Sequence, residues 1–425
     1  MTVLKNAPLL LNHTAELLAE WFRLKTPAER IKQIYFHKRK YLGSKDRSFI
    51  ELLFYDIIRN LRLYDWQIRN NAPDEKELSA DLYVVHAFKR LFPEEAKQIA
   101  FKINDNISSY IEKYVFRENI PDHPALRWSL PEFVWDKIRS AYPNAELLNC
   151  LKDLHEQRGL HIRANTLKTT ARDLVKALKE YSLRPGNMAP DALRSDKYIQ
   201  LSGHPLYRKG FFEFQDESSQ LVGYVCNPKE HDLAIDLCAG AGGKTLHLAA
   251  LQKDKGRIIA SDLYAERLKE LKVRAARAGI NSLALTGLRN IQNTFRAKAD
   301  ILLIDAPCSG SGVYGRQPDR KWIFTPEKLD HYVGLQRDIL DKYACLVKTG
   351  GYLVYATCSI IPDENEKQIE HFLAKHPEFM LVPVNNDLKA FGIQFPSGTI
   401  NTMLTILPHY FRSDGFFIAK MKRIP

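Results

Sequence analysis

The stretch Asp236-Leu237-Cys238-Ala239-Gly240-Ala241-Gly242-Gly243-Lys244-Thr245 lies between an apolar run, Leu233 to Leu237, and a helical segment leading to a second run, Arg257 to Ala260. An apolar run that stops at a small or polar cluster reads as a buried strand delivering its last residues to a sheet edge. Strand, glycine turn, helix and strand together predict a doubly wound, mostly parallel α/β sheet. The turn also excludes two ligand-binding solutions. Gly-Lys-Thr invites a phosphate loop, but Cys238 stands where that motif needs its first glycine. Thr245 likewise stands where a dinucleotide fingerprint needs its third. What remains is a tight turn that lets backbone approach a ligand closely. Asp262, in Ser261-Asp262-Leu263, follows Gly243 by nineteen residues, about where nucleoside-binding sheets hold a ribose diol. A ribose acid beside a turn without phosphate chemistry points to S-adenosylmethionine, whose adenosine carries no phosphate. Asp262 can also cap the helix from Tyr264 to Arg274, and one carboxylate can do both.

The alternation continues downstream. Leu283 to Leu285 is a short third strand, and Ile301 to Ile304 and Tyr352 to Tyr355 are the fourth and fifth, joined by a helix over Pro326 to Leu346. A helix at Glu364 to Lys375 leads to a closing pair, Phe379 to Val384 and Phe416 to Met421. The fourth strand runs into Asp305-Ala306-Pro307-Cys308-Ser309-Gly310 and the fifth into Ala356-Thr357-Cys358-Ser359. A free cysteine is more often a packed core thiol than a reactive one. Here Pro307 ends one strand, and neither cysteine sits within an apolar run.

Upstream, Leu4 to about Lys113 carries apolar residues at helical spacing, among them Leu9, Leu10, Leu17, Leu18, Trp21 and Phe22. Within it, His37 to Arg47 places five Lys or Arg around Gly43-Ser44. Ser44 is positioned to cap the next helix, and the loop reads equally as a phosphate-docking site or a solvated charged face. Three prolines between Glu118 and Pro131 mark a linker. Beyond it come a helix from Pro131, a strand at His161 to Lys168, a helix at Ala171 to Tyr181, and an aromatic strand at Gly210 to Phe214 running into a capped helix. The expected division is an all-α domain over 1–120, a linker helix with a small α+β module over 121–210, and the sheet domain over 211–425.

Six cysteines (Cys150, Cys226, Cys238, Cys308, Cys345, Cys358) are scattered without metal-ligand spacing, which disfavours both a disulfide framework and a zinc site. No metal is expected. No apolar stretch reaches membrane-span length and no signal peptide is read, so a cytoplasmic protein is expected. A net charge of +12 favours a polyanionic partner, provided the excess clusters.

Taken together, Cys238 to Lys244, Asp305 to Gly312 and Tyr355 to Ser359 resemble the Sun/Fmu (RsmB-like) family of RNA cytosine-5 methyltransferases. The resemblance extends more loosely upstream, where Arg163 to Lys168 looks like that family's RNA-facing module and the helical region around Lys45 looks like its NusB-like domain. It implies a Rossmann-like class I methyltransferase sheet that binds S-adenosylmethionine. Cys238, Ala239, Gly240, Ala241, Gly242, Gly243 and Lys244 become the cofactor loop and Asp262 the ribose ligand. Asp305 falls between cofactor and base, Cys358 becomes the nucleophile, and Cys308 the cysteine that helps release product. The chain departs from the family twice. Ala239 to Lys244 replaces Ala-Ala-Pro-Gly-Gly-Lys, and no acid stands in Gly287-Leu288-Arg289-Asn290 to face adenine, leaving Asn290 as the candidate substitute.

This chemistry wants these residue types. Carbon-5 of cytosine must be activated by addition at carbon-6, and a thiolate adds and leaves well. A group near ring nitrogen 3 must accept the electron demand, a role that fits Asp305. Lys244 can lower a thiolate pKa, hold Asp305, or simply pair with a nearby carboxylate. Arg316 to Trp322 is basic with one aromatic residue and is expected to line an RNA entry, with Trp322 as a stacking surface or packed beneath the loop. Small-subunit ribosomal RNA is the first substrate expectation and transfer RNA the second. The rivals are a DNA enzyme using Cys308 as nucleophile and a catalytically silent RNA-binding assembly factor. Oligomeric state is not legible.

Overall fold

Apolar residues at helical spacing and apolar runs at strand spacing separate cleanly in the computed structural model, which describes residues 6–71, 77–98, 114–197, 199–395 and 402–425. The chain divides into two units, Met1–His155 with Gln317–Thr325, and Glu156–Arg316 with Pro326–Pro425. The division at 155/156 lies well beyond the expected one at 120/121, because the helices Glu132–Arg139 and Asn144–His155 fall with the first unit.

In the first unit the helices Ala7–Leu24, Ser44–Asn71 and Ala80–Leu91 bury one face each, with Leu11, Leu17, Leu18, Ile50, Leu53, Phe54, Ile57 and Val84 fully enclosed. Residues 99–113 of the expected helical region lie outside the described residues. Ser44 is the first helical residue rather than a side-chain cap, and Asp46 accepts a hydrogen bond from Gly43 N at 3.1 Å in its place. Two of the five basic residues are engaged locally. Arg39 pairs with Glu16 at 2.8 Å and lies over the Tyr35 ring, while Arg47 donates to Leu42 O. Lys38, Lys40 and Lys45 are exposed. Trp322 packs against this core and donates Nε1–H to Ile58 O at 2.6 Å. The buried Lys321 beside it donates to Arg59 O. The expected stacking surface is therefore internal packing.

Among the described residues the second unit holds two sheets. Strands β1 (Leu160–Ala164), β2 (Arg184–Pro185), β3 (Ala192–Ser195) and β4 (Phe212–Phe214) form an antiparallel sheet in the order β2-β3-β1-β4. The larger sheet comprises β5 (Leu233–Asp236), β6 (Arg257–Ala260), β7 (Leu283–Leu285), β8 (Ala299–Asp305), β9 (Val347–Thr357), β10 (Phe379–Val382), β11 (Leu404–Ile406) and β12 (Phe416–Arg423). Its order is β10-β12-β9-β8-β5-β6-β7, with β11 also on β12. Strands β5 to β9 pair in parallel, and β12 runs antiparallel to β9, β10 and β11. This is the expected Rossmann-like arrangement. Neighbouring residues on one strand enter different cores: Leu303 and Val354 pack on one side, Leu302 and Leu353 on the other. Burial on both faces explains why these strands read as continuous apolar runs.

Strand β9 begins five residues earlier than its apolar run. Gly350 has φ +82°, and a Cβ on Gly351 would lie 2.7 Å from Ala299 O. The polar Lys348-Thr349-Gly350 start crosses a register shift against β8 and hides the strand from an apolar reading.

Candidate active site

Strand order reverses between β5 and β8, and in open α/β sheets the crevice at the carboxyl ends of such strands is where ligands bind. The glycine turn leaves β5 there. Gly240 has φ +54° and open space where a Cβ would stand. Gly242 has φ +91°, and a Cβ would collide with Leu271 at 2.0 Å. One glycine thus keeps a cradle clear and the other closes the turn against the next helix. Asp262, at the end of β6, accepts from Gly240 N at 2.9 Å and from Tyr264 N at 2.8 Å. It orders the turn and starts the following helix together. Leu263 and Tyr264 beside it are exposed.

The next two strand ends carry side-chain chemistry. Asp305 is the last residue of β8 and lies opposite Ala356 of β9, so the loops that follow run side by side. Cys308 Sγ and Cys358 Sγ are 3.4 Å apart, and Gly312 N donates to Cys358 O at 3.0 Å. Lys244, from the glycine turn, reaches across to Asp305 at 2.8 Å. Burial works against its ammonium, yet Asp305, with Cys358 and Asp236 behind it, holds the lysine above its usual pKa. Lys244 is therefore a firm cation facing both a carboxylate and a thiol.

The cysteines differ electrostatically. The hydrogen bond with Cys358 comes first, then burial, then the negative charges of Cys358 and Glu364, and together they push the Cys308 thiol well above its usual value. Cys238 is also pushed up, by burial first and then by Asp236, Asp305 and Asp262, so it stays a neutral member of the turn.

A family model described as 16S rRNA methyltransferase RsmB/F matches residues 223–422. A Synechocystis protein named as a probable ribosomal RNA small subunit methyltransferase B is 31% identical over 418 residues, covering 90% of this chain and 92% of that protein. The chain belongs to the RsmB/F methyltransferase family. A human 28S rRNA (cytosine(4447)-C(5))-methyltransferase is 34% identical over 70% of this chain, which corresponds to 38% of the human protein. The crystal structure of PH0851 matches 98% of this chain at 26% identity with a TM-score of 0.76.

As an RsmB/F methyltransferase the chain is an S-adenosylmethionine-dependent RNA cytosine-5 methyltransferase of the Sun/Fmu group. The residues present fit that cofactor: nothing stands within 4 Å of a Cβ on Gly240 or Gly243, so backbone can meet a ligand closely, and the Asp262 carboxylate lies against Gly240 N. Asn290 is exposed in the first turn of the helix Leu288–Phe295, just beyond β7.

In the two expected RNA-facing segments several polar heads are engaged within the protein, while Thr166, Lys168, Arg316 and Gln317 remain exposed. Arg163 is 2% exposed, donates to Gly243 O at 2.9 Å and bonds Gln215. Asn165 bridges Gly210 O and Ala278 O, and Lys168 reaches Lys209 O and Arg277 O. Arg316, at the head of the basic loop, is held by Asp414 at 2.8 Å. These polar heads satisfy backbone carbonyls and a buried acid, needs that a one-dimensional pattern does not display. The sequence reading also missed Glu213, which is 2% exposed and holds Arg274 at 2.8 Å, while Arg274 donates to Ala241 O at 2.7 Å. Two cations thus grip the glycine turn: Arg163 of the small sheet at Gly243 O directly, and Arg274 of the helix Ala265–Ala278 at Ala241 O, held in place by Glu213 of the small sheet.

Proposed function

We propose that this chain methylates carbon-5 of a cytosine in small-subunit ribosomal RNA, with Cys358 as the nucleophile at carbon-6. The observation that carries the reading is the pair of thiols in contact at two adjacent parallel strand ends, with the Lys244–Asp305 pair beside them. Cys358, close to the Lys244 ammonium, is the thiol suited to act as thiolate. Its sulfur adds to carbon-6 as Asp305, entering the step protonated, gives its proton to ring nitrogen 3, and Lys244 holds the carboxylate that results. S-adenosylmethionine, when bound, supplies an electrophilic methyl group to carbon-5. Cys308 as its thiolate, or a water, then takes the carbon-5 proton, the carbon–sulfur bond breaks to expel the Cys358 thiolate, and ring nitrogen 3 returns its proton to Asp305. The reading that makes Cys308 the nucleophile fits less well, because it leaves Cys358, in contact with it, without a role. Lys38, Lys40 and Lys45 on the first unit are suited to phosphate contacts, which predicts salt-dependent RNA affinity.

The test is methyl transfer to unmodified RNA followed by bisulfite sequencing. A single protected cytosine in small-subunit ribosomal RNA is expected. Methylation confined to transfer RNA would transfer the proposal to that substrate, and cofactor binding without any transfer would favour a silent assembly factor.

A further inference from the structure

Below the two cysteine loops lies a buried carboxyl with no place in the steps above. Glu364 ends the short turn Pro362–Glu364 and is fully enclosed. Its Oε1 accepts from Ser309 N at 2.8 Å and from Gln336 Nε2 at 3.1 Å. Its Oε2 accepts from the hydroxyls of Ser309 and Ser359. Ser309 directly follows Cys308, and Ser359 directly follows Cys358. Gln336, also fully buried on the helix Pro326–Tyr343, uses the same amide nitrogen on Pro307 O at 2.9 Å, the residue before Cys308. Ser311 Oγ contacts Ser359 Oγ at 2.9 Å and accepts from Ile360 N, and the Glu364 carbonyl takes the Tyr355 hydroxyl at 2.8 Å. One side chain therefore receives donors from both cysteine loops and from the helix behind them. Burying a carboxyl is unfavourable unless it is fully hydrogen-bonded, and here four donors meet it. Burial still raises its pKa, with the serine and glutamine donors working against that shift.

We propose that Glu364, braced by Gln336, is a positioning residue that sets the spacing of the Cys308 and Cys358 thiols through Ser309 and Ser359. The inference rests on the two-thiol reading of the reaction, and it assigns Glu364 no contact with RNA or cofactor. Glu364 acts as the common anchor of two loops that share no other side chain of this kind among the described residues. Its acceptor geometry matters rather than its proton. A carboxamide keeps the Oε1 acceptor and offers its nitrogen to serine hydroxyls, which can rotate to accept.

The test uses the full chain and phenylarsine oxide, a trivalent arsenical that condenses with two neighbouring thiols and releases water. Wild-type protein should bind one equivalent at this pair, and Cys308→Ala or Cys358→Ala should each abolish that binding. Glu364→Ala should weaken capture by about tenfold and lower kcat by about a hundredfold, the scale expected for misplacing reacting groups by about an ångström. Its KM for S-adenosylmethionine should not change. Glu364→Gln should restore capture and most of kcat without moving the pH profile. Gln336→Met provides a milder lesion if Glu364→Ala does not fold, and it should shift capture and kcat in the same direction. Wild-type capture by both Glu364→Ala and Gln336→Met would overturn the proposal. So would a Glu364→Gln protein that captures normally but is as slow as Glu364→Ala, since that pattern belongs to a proton donor. If the two cysteine variants lose capture but retain methyl transfer, the two-thiol reading fails while the spacing result stands, so the two failures are distinguishable.

Discussion

The two working ends of the large sheet are built in opposite ways. At β5 and β6 the chain presents backbone: a turn through the left-handed Gly240 and Gly242, open space over Gly240, and an aspartate ordering the turn. That end is held by two cations, Arg163 of the small sheet on Gly243 O and Arg274 of the helix after β6 on Ala241 O, the latter anchored by Glu213 of the small sheet. At β8 and β9 the chain presents side chains, two thiols and a carboxylate, held from beneath by the buried Glu364. The contrast follows from the tasks. On the proposed reading, a cofactor that must enter and leave each cycle is met by fixed backbone, whereas bonds that form and break need side chains whose spacing is locked. The cofactor end should therefore govern affinity and the thiol end rate.

Lys244 is where the contrast should break, because it starts the helix after the glycine turn and pairs with Asp305 at the other end. Lys244→Met is expected to lower kcat by about a hundredfold or more, the usual effect of removing a preorganised charge. It should also weaken binding of S-adenosylhomocysteine, as checked by calorimetry beside steady-state kinetics. Arg274→Met sharpens the contrast by touching one end alone. Loss of a charge-assisted hydrogen bond to Ala241 O should weaken cofactor binding by about tenfold, with kcat at saturating cofactor unchanged.

The smallest effect concerns Asp236 beneath the turn. Burial pushes its carboxyl up to about 7, against a hydrogen bond from Thr245 and reinforced by the charge of Asp305. The folded chain keeps this proton to about pH 7, while an unfolded aspartate loses it near pH 4. This group's contribution therefore falls as pH rises between those values, and it is level above them. Asp236→Asn should remove that slope, seen as a pH-dependent difference in Tm from wild type of a few degrees.

What could be read in one dimension was what the chain itself terminates abruptly. Asp236, Asp305, Cys308 and Cys358 stand where buried strands stop, so an apolar run followed by a small or polar cluster points to them directly. Glu364 lies in Pro362-Asp363-Glu364-Asn365-Glu366, which reads as a solvated acidic helix start; only the loops folded over it make it internal. Arg163, Lys168 and Trp322 misled for the converse reason. Basic and aromatic residues look like nucleic-acid contacts in sequence, yet long amphipathic side chains also cover apolar surface while their heads reach carbonyls. Strand β11 and the short β2 were too brief to carry a pattern. The division between units was displaced because prolines mark where a helix stops, not where contacts cease.

The central claim is that Cys358 attacks and Cys308 releases. Cys308→Ala and Cys358→Ala proteins, each incubated with S-adenosylmethionine and unmodified small-subunit ribosomal RNA, would be run on a denaturing gel for a covalent protein–RNA species. The account predicts a stable adduct with Cys308→Ala, where elimination stalls, and none with Cys358→Ala. An adduct with Cys358→Ala and none with Cys308→Ala would contradict it and make Cys308 the nucleophile.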